Sequence, residues 1–313
     1  MMWSKSNILM IRPKNFAFNP QTAVNNYYQN KNVSIDSNAI SKQAILEFDS
    51  MVQLLKSNGV NTIVFDDLPG LEVPDSVFPN NWVSFHKCGS VFLYPMFAEN
   101  RRLERRVDIL NTLKDDYLFD LKSVFDLTKY ESMGHYLEGT GSMVLDRTYK
   151  ICYAAISNRT DKKLVLDFCK KLSYLPVLFD AYQTVDDKRV LIYHTNVMMC
   201  VADKYVVICM DSIDDPKQKE MLLTHFEKTN KEIIEISENQ VSNFAGNMLQ
   251  VFGDQAFLVM SSTAYNSLNS DQIKRINAYN PILHTSLKTI EENGGGSARC
   301  MMSEVCLLKS AAL

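Results

Sequence analysis

The residue with the clearest chemical potential in this chain is Cys300, which follows a run of three glycines, Gly294–Gly296, and precedes the apolar segment Met301–Leu308. Consecutive glycines allow positive φ angles and let a ligand approach the backbone closely. A cysteine thiolate is a strong nucleophile when a base and an orienting group accompany it. We therefore predict that Cys300 is a nucleophile and that other segments supply its partners.

Four other short loops that contain glycine or asparagine also precede apolar runs, and each has polar side chains suited to chemistry. These side chains are Asn80 and Asn81 with the nearby Asp75, Glu138, His194 and Asn247. Catalysis by a cysteine nucleophile needs a thiol, an imidazole and a carboxylate, and these come from segments far apart in the sequence. If the loops converge, Cys300, His194 and Glu138 form a catalytic group.

Each of these residues also has a purely structural interpretation. A lone cysteine is usually a small buried hydrophobe, His194 interrupts an apolar run, and Glu138 fits a turn carboxylate. Because all three residues occupy the same position in the repeated loops, the catalytic interpretation is favoured over the structural one. A phosphate site is disfavoured, because Gly139-Thr140-Gly141 lacks the third glycine of a dinucleotide fingerprint and Gly294–Gly296 lacks the Lys-Ser/Thr of a P-loop.

The elements that must position these side chains form an internal repeat with a spacing of about 50–60 residues. In each copy the loop leads into an apolar strand, a tight polar turn and a second apolar strand, which is typical of a hairpin. Stretches with helical periodicity, such as Ala44–Leu55 and Leu164–Leu172, lie between the copies, and short strands such as Asn61–Phe65 and Glu232–Ile236 follow some of them. The five predicted hairpin segments are Trp82–Tyr94, Met143–Tyr153, Val197–Cys209, Met248–Met260 and Met301–Leu308. The pattern predicts an α/β fold with five such units arranged radially.

The chain has 313 residues, of which 46% are apolar and 22% charged, and its formal net charge is −3. This balance is ordinary for a globular protein and offers no basic surface for nucleic acid or a membrane. We expect no signal peptide and no membrane span. Seven cysteines without CxxC spacing favour a reducing, cytoplasmic location over a disulfide framework or a zinc site. We predict a single domain over residues 1–313 with no metal and no cofactor.

An ordered set of short motifs resembles the guanidino-group-modifying superfamily, which includes dimethylarginine dimethylaminohydrolase, arginine deiminase and glycine amidinotransferase. The motifs cover most of the chain and are Pro74–Phe78, Asn100–Arg102, Leu137–Gly139, Ile156–Thr160, His194 and Gly295–Met301. Ile11–Pro13 and Phe18–Thr22 look most like an arginine-deiminase-related branch that includes a citrulline-utilising hydrolase. The resemblance implies the pentein fold, a five-bladed pseudo-symmetric α/β propeller of ββαβ-type repeats.

The resemblance also implies a role for each matching residue. Cys300 would attack the central carbon of a guanidino or ureido group, His194 would protonate the departing amine and then activate water, and Glu138 would hold His194 or the substrate. Arg102, or its neighbour Arg101, would pair with Arg159 to clamp an amino acid's carboxylate. The full set of implied substrate-binding residues is Asp75, Phe78, Asn80, Asn81, Arg102 and Arg159.

The chain departs from the family at Asn80 and Asn81, where the hydrolase of methylated arginine would have Glu-Asp. A carboxylate suits a cationic guanidinium, whereas an amide offers a donor and an acceptor to a neutral ureido group. The sequence therefore favours citrulline, hydrolysed to ornithine, ammonia and CO2, over arginine or methylarginine.

Three alternative functions stay open. The first is an arginine deiminase or dimethylargininase, and the second is an amidinotransferase that passes its intermediate to an amine acceptor. The third is a non-catalytic member of the fold, such as a ribosome-binding translation factor, which has no use for a Cys/His/Glu group with two arginines. The predicted partner is a small guanidino or ureido amino acid, with neither nucleic acid nor membrane, and a homodimer is left open.

Overall fold

The computed structural model describes residues 4–29, 37–68 and 70–310 and has a mixed α/β structure. The strands in these ranges are β1 Asn7–Arg12, β2 Asn61–Asp66, β3 Val83–Phe85, β4 Ser90–Leu93, β5 Ser123–Asp126, β6 Val144–Asp146, β7 Ile151–Ala155, β8 Leu175–Phe179, β9 Tyr182–Val185, β10 Lys188–Leu191, β11 Met199–Val201, β12 Tyr205–Ile208, β13 Glu232–Glu235, β14 Leu249–Phe252, β15 Ala256–Ser261, β16 Ile282–Thr285 and β17 Ser303–Glu304. The helices are α1 Ser37–Ser57, α2 Val107–Asp115, α3 Gly139–Ser142, α4 Lys162–Leu172, α5 Pro216–Lys228, α6 Glu238–Ser242, α7 Ser262–Ser267, α8 Ser270–Asn277 and α9 Lys288–Gly294. The predicted α/β class is confirmed.

Five three-stranded sheets share one pattern of strand pairing. Their strand orders are β3-β4-β5, β6-β7-β8, β11-β12-β13, β14-β15-β16 and β17-β1-β2. In every sheet the middle strand pairs antiparallel with the first strand and parallel with the third. At least one helix connects the middle strand to the third, because parallel neighbours need a crossover connection. The predicted unit of hairpin, helix and further strand is therefore present in the described residues.

The fifth copy differs from the prediction of a hairpin within Met301–Leu308. Only Ser303–Glu304 forms a strand there, and its antiparallel partner is β1 from the other end of the chain, with Ile8 opposite Glu304. The end of the predicted segment contacts the loop before β5, where the carbonyl oxygen of Leu308 accepts the N–H of Asp120 at 2.8 Å. The fifth sheet is thus assembled from both ends of the chain.

A separate two-stranded hairpin, β9 with β10, was not predicted. Its two loop residues, Asp186 and Asp187, both have positive φ angles, of 48° and 59°. Two consecutive left-handed residues are the geometry of a tight hairpin turn, and aspartate tolerates that geometry better than most residues.

The helices cover the sheets with regular apolar stripes. Helix α1 buries Ala44, Phe48, Met51 and Leu55 on one face, with the spacing of three and four residues that an amphipathic helix requires. Helix α4 is capped by the preceding residue, Asp161, whose side chain accepts the N–H of Leu164. Within the described ranges, no helix is both long and apolar enough to cross a bilayer.

A buried ion pair links two sheets that are consecutive in the chain. Lys231, just before β13, places its Nζ 3.0 Å from Oδ2 of Asp146 at the end of β6. The same ammonium donates to the carbonyl oxygens of Ala202 and Asp203, in the turn between β11 and β12. Both charged side chains are almost completely removed from solvent. Removal of one charge therefore leaves the other buried without compensation.

We predict that Lys231→Met lowers the free energy of unfolding by about 3–5 kcal/mol, because it leaves the Asp146 carboxylate buried and unpaired. The measurement is urea unfolding followed by circular dichroism. The matched control is Lys204→Met, since the Lys204 side chain is 66% exposed and sits 3.9 Å from Asp203. Equal effects of the two substitutions would contradict the account of the buried pair.

Candidate active site

The glycine run forms the end of helix α9 and the turn that leads to Cys300. Gly295 ends the helix with a φ of 62°, a left-handed conformation that favours glycine. Side chains at Gly294 and Gly296 would meet the ring of Phe78, since a Cβ atom would lie 2.9 Å and 2.8 Å from it. The glycines therefore allow the aromatic ring to pack directly against the backbone that carries Cys300.

The sulfur of Cys300 is nearly buried and receives hydrogen bonds from two amides. Nδ2 of Asn247 lies 3.2 Å from Sγ, and Nδ2 of Asn196 lies 3.4 Å from it. Asn247 and Asn196 precede β14 and β11, so two different sheets place a donor on the same sulfur. The predicted convergence of Asn247 with Cys300 is therefore present in the structure.

His194 and Glu138 form a buried pair beside the thiol. Nε2 of His194 lies 2.7 Å from Oε2 of Glu138. Burial alone would raise the pKa of Glu138, but Arg159 and His194 hold it well below its usual range. An ionised carboxylate can only accept a hydrogen bond, so Nε2 carries the proton and Nδ1 of the neutral ring is left as a base.

The His194 ring is held neutral by its surroundings. Burial lowers the pKa of His194 to about 4, against the opposing effect of the hydrogen bond to Glu138. The ring fits only because residue 141 is glycine, since a Cβ there would lie 2.8 Å from Nδ1 of His194 and 2.5 Å from Nδ2 of Asn81. At neutral pH the site therefore contains an uncharged imidazole, whose Nδ1 keeps a free lone pair.

Arg159 lies next to this pair and is held by several groups. Its Nη1 lies 3.4 Å from Oε2 of Glu138, and its Nη2 donates to the carbonyl oxygen of Thr22 at 2.9 Å. Nε and Nη2 also donate to Oδ1 of Asn25. The guanidinium carbon lies 4.8 Å from the ring centroid of Tyr193. A cation is thereby fixed in the site by a carboxylate, neutral oxygens and an aromatic face.

Asp75 adds a second buried carboxylate. Its Oδ2 accepts hydrogen bonds from Asn19 at 2.7 Å and Thr22 at 3.2 Å. Its Oδ1 is buried and has no hydrogen-bond partner among the described residues. Burial raises the pKa of Asp75, whereas Arg101 and Asn19 act to lower it. The free oxygen can therefore accept a hydrogen bond from a ligand.

Of the two neighbouring arginines, the structure places Arg101, and not Arg102, at the cavity. Arg101 is buried, pairs with Glu104 at 2.8 Å and donates to Oδ1 of Asn81 at 2.9 Å. Arg102 points elsewhere, towards the carbonyl oxygen of Met96 and the carboxylate of Glu131. Both arginines lie in one short 3-10 turn, in which consecutive side chains point in different directions.

The side chains Asn80 and Asn81 have different surroundings. Asn81 faces the site, and its Oδ1 accepts a hydrogen bond from Arg101. Its Nδ2 has no hydrogen-bond partner in the described ranges. Asn80 is completely buried, and within the described part of the chain neither its Oδ1 nor its Nδ2 has a hydrogen-bond partner. Its carbonyl oxygen lies against α3, where a Cβ on Gly139 would be 2.2 Å away. Asn80 therefore lies behind the site and contacts the loop that carries Glu138.

These groups surround one small cavity of about 20 Å³. Six of the predicted site residues line it, namely Asp75, Phe78, Asn81, Arg159, His194 and Cys300. Glu138 and Asn80 are buried behind this lining, and Arg102 lies outside it. Arg101, the predicted alternative to Arg102, lines it as well. Residues that line the cavity without having been predicted as binding residues are Thr22, Asn26, Tyr193 and the three glycines Gly294–Gly296.

The N-terminal segment was missed as part of the site. Asn26 donates to the carbonyl oxygen of Gly294 at 3.3 Å, and Gln29 donates to the same oxygen at 3.1 Å. Asn19, Thr22 and Asn25 reach Asp75 and Arg159, as described above. The segment has no periodic pattern in the sequence, and its signals were the polar composition of Asn19–Gln29 and the family resemblance of Phe18–Thr22. No group of three or more His, Cys, Asp or Glu residues in the described chain could hold a metal ion.

We predict that the imidazole of His194 stays neutral as the pH falls from 7 and takes up a proton only near pH 4, because burial disfavours the cation. The measurement is a histidine NMR titration, with the His194→Gln variant used to identify the resonance. A midpoint near the ordinary histidine value of about 6.5 would contradict the buried geometry.

The chain matches one protein-family model and several solved structures. A family model described as N,N dimethylarginine dimethylhydrolase, eukaryotic, matches residues 12–307. No curated protein matches the chain. The structure is similar to apo ArgZ, an arginine dihydrolase from the ornithine-ammonia cycle in cyanobacteria, with a TM-score of 0.73 and 18% identity. That match covers 96% of this chain and 40% of the ArgZ chain, so the chain spans less than half of that protein.

Two further solved structures match over nearly their whole length. The product-bound N-terminal domain of ArgZ has a TM-score of 0.72 and 17% identity, with 96% of this chain and 98% of that domain covered. An adduct of dimethylarginine dimethylaminohydrolase with S-methyl-L-thiocitrulline has a TM-score of 0.64 and 15% identity, with coverage of 96% and 100%. These likenesses show a shared fold. The family match covers nearly the whole chain, and the chain therefore belongs to the N,N-dimethylarginine dimethylhydrolase family of the pentein superfamily of guanidino-group-modifying hydrolases.

Proposed function

We propose that this protein hydrolyses the ureido or guanidino group of an arginine-like amino acid through a covalent bond to Cys300, with citrulline as the favoured substrate. The observation that carries the proposal is the single cavity that joins Cys300 to His194, with Glu138 behind it and two arginines and Asp75 around it. Membership of the family and the arginine dihydrolase activity named for ArgZ support the same class of reaction.

The proposed reaction has two steps. The neutral imidazole of His194 takes the proton of Cys300, and the sulfur attacks the ureido carbon. The bond from that carbon to the terminal amino group breaks, and the proton on His194 leaves with the departing ammonia. Water, deprotonated by His194, then attacks the thiocarbamate and breaks the carbon–sulfur bond. The resulting carbamate loses CO2 to give ornithine. Glu138 stabilises the imidazolium formed in each step.

Arg101 and Arg159 are the proposed groups for the substrate's carboxylate. In this structure Arg159 donates hydrogen bonds to Oδ1 of Asn25 and to the carbonyl oxygen of Thr22. These neutral oxygens occupy positions that a carboxylate would bind more strongly, because hydrogen bonds between charged groups are stronger than neutral ones. We infer that the substrate's carboxylate displaces Asn25 from Arg159.

The orientation of Asn81 supports a ureido substrate. Arg101 can only donate hydrogen bonds, so its bond to Asn81 identifies Oδ1 as the acceptor and leaves Nδ2 as the free group. A ureido oxygen can accept a hydrogen bond from this NH2 group. A guanidinium has donors only and would leave Nδ2 unpaired in a buried site, which is costly.

A second candidate substrate is arginine or methylarginine. The observation in its favour is the presence of two buried carboxylates, Asp75 and Glu138, which could compensate a cation in the cavity. The two substrates differ in the group that they present to Nδ2 of Asn81, which is an oxygen in a ureido group and an N–H donor in a guanidinium. The reaction class and Cys300 are common to both.

We also propose that the five sheets are arranged as blades around the cavity, within one domain over residues 1–313. The support is that the segment before the first strand of each sheet supplies a side chain to the site. These side chains are Asn81 before β3, Glu138 before β6, His194 before β11, Asn247 before β14 and Cys300 before β17.

We predict that the protein releases ammonia from citrulline faster than from arginine or methylarginine, and that Cys300→Ala abolishes release. Asn81→Asp should lower kcat/KM for citrulline by about tenfold or more, because it removes the donor to the ureido oxygen and adds a charge suited to a cation. The assay measures ammonia and ornithine over a panel of these substrates. Turnover of arginine but not citrulline would overturn the choice of substrate.

We predict different effects for the two neighbouring arginines. Arg101→Lys should raise KM by about tenfold or more, because lysine cannot pair bidentately with Glu104 and also donate to Asn81 at the cavity. Arg102→Lys should leave KM nearly unchanged, since Arg102 contacts Glu131 outside the cavity. A larger rise in KM for Arg102→Lys than for Arg101→Lys would contradict this assignment.

A further inference from the structure

We propose that Asn247 positions the sulfur of Cys300 for attack by donating a hydrogen bond to it, with Asn196 as a second donor. On this proposal the thiolate is held by neutral amides supplied from two other sheets. The inference deepens the proposed function and rests on Cys300 being the nucleophile. It gives Asn247, which is not part of the Cys300, His194 and Glu138 group, a role in orienting the nucleophile.

The orientation of the Asn247 amide is determined by its neighbours. Its Oδ1 accepts the backbone N–H of Arg299 at 3.0 Å, and a backbone N–H can only donate. The other end of the amide, Nδ2, must therefore be the group that lies 3.2 Å from Sγ of Cys300. Nδ2 also donates to the carbonyl oxygen of Asn196 at 3.1 Å. One side chain thus connects the loops that carry Cys300 and His194.

A close approach of two loops places Asn247 at the sulfur. Gly246 lies against the segment after His194, and a Cβ at this position would be 2.2 Å from the carbonyl oxygen of Val197. No larger residue fits without moving backbone atoms. The glycine therefore brings the loop before β14 into contact with the loop before β11, with Asn247 directed at Cys300.

Amide donors favour the thiolate over the thiol. A thiolate accepts hydrogen bonds much more strongly than a neutral thiol, because its full negative charge is concentrated on sulfur. Asn247 and Asn196 are buried, so water competes weakly for these bonds. The two bonds also restrict the direction of the sulfur lone pairs and keep the thiol at the cavity that His194 lines.

The test compares Asn247→Asp with the wild-type protein. Aspartate keeps an oxygen for the N–H of Arg299, loses the donor to sulfur and adds a negative charge beside it. We expect the midpoint of the pH profile for Cys300 alkylation by iodoacetamide to rise by about one pH unit or more. Peptide mass spectrometry separates Cys300 from the other six cysteines. With citrulline as substrate, kcat should fall about tenfold or more while KM changes less.

The matched control is Asn239→Asp, which makes the same change of charge on the exposed surface of helix α6 and should leave the profile unchanged. Asn196→Asp is the second variant and should raise the midpoint in the same direction, which keeps the proposal testable if Asn247→Asp fails to fold. An unchanged midpoint in a folded variant of either position would overturn the proposal.

The alkylation profile does not depend on turnover, so it separates this inference from the proposed function. If the wild-type protein releases no ammonia from any ureido or guanidino substrate, the proposed function fails. A raised midpoint in Asn247→Asp would still support the positioning of Cys300 in that case. Normal turnover of citrulline by Asn247→Asp with an unchanged alkylation profile would refute the inference alone.

Discussion

The carboxylate of Glu138 is completely buried, and the arrangement of the site depends on how its charge is compensated. Oε2 faces His194 at 2.7 Å and Arg159 at 3.4 Å, while Oε1 accepts the N–H of Phe97 at 2.9 Å. An unpaired carboxylate at this depth would cost several kcal/mol. That cost is comparable to the net free energy of unfolding of a whole domain. The imidazole and the guanidinium are therefore held in place by the same charge that determines which nitrogen of His194 carries a proton.

Glycine residues make this concentration of polar groups sterically feasible. Gly141 leaves room for the His194 ring and for the amide of Asn81, and Gly246 leaves room for the loop that carries Asn247. Gly294 and Gly296 do the same for Phe78. In each case the absent side chain lies between two loops that belong to different sheets. The catalytic group is thus built from contacts between repeats, whereas the strands within each repeat provide the scaffold.

Much of this arrangement could be predicted from the sequence, because repetition is visible in it. Five loops of similar form indicated that Cys300, His194, Glu138 and Asn247 come together, and the short third strands Asn61–Phe65 and Glu232–Ile236 were confirmed to within one residue. Arg101 could not be distinguished from Arg102, since side-chain direction within a 3-10 turn is set by the packing of Glu104 and Glu131. The role of Asn19–Gln29 was also hidden, because an aperiodic loop acquires meaning only through contacts with residues far away in sequence, such as Asp75, Arg159 and Gly294.

In the proposed reaction, the reacting carbon is bonded to Cys300 during turnover. The most direct measurement uses citrulline labelled with 13C at the ureido carbon, with acid quenching in the steady state and peptide mass spectrometry. The account predicts a labelled adduct on the peptide that contains Cys300, absent in Cys300→Ala, which should also release no ammonia. Turnover by the wild-type protein without label on Cys300, together with continued turnover by Cys300→Ala, would contradict it.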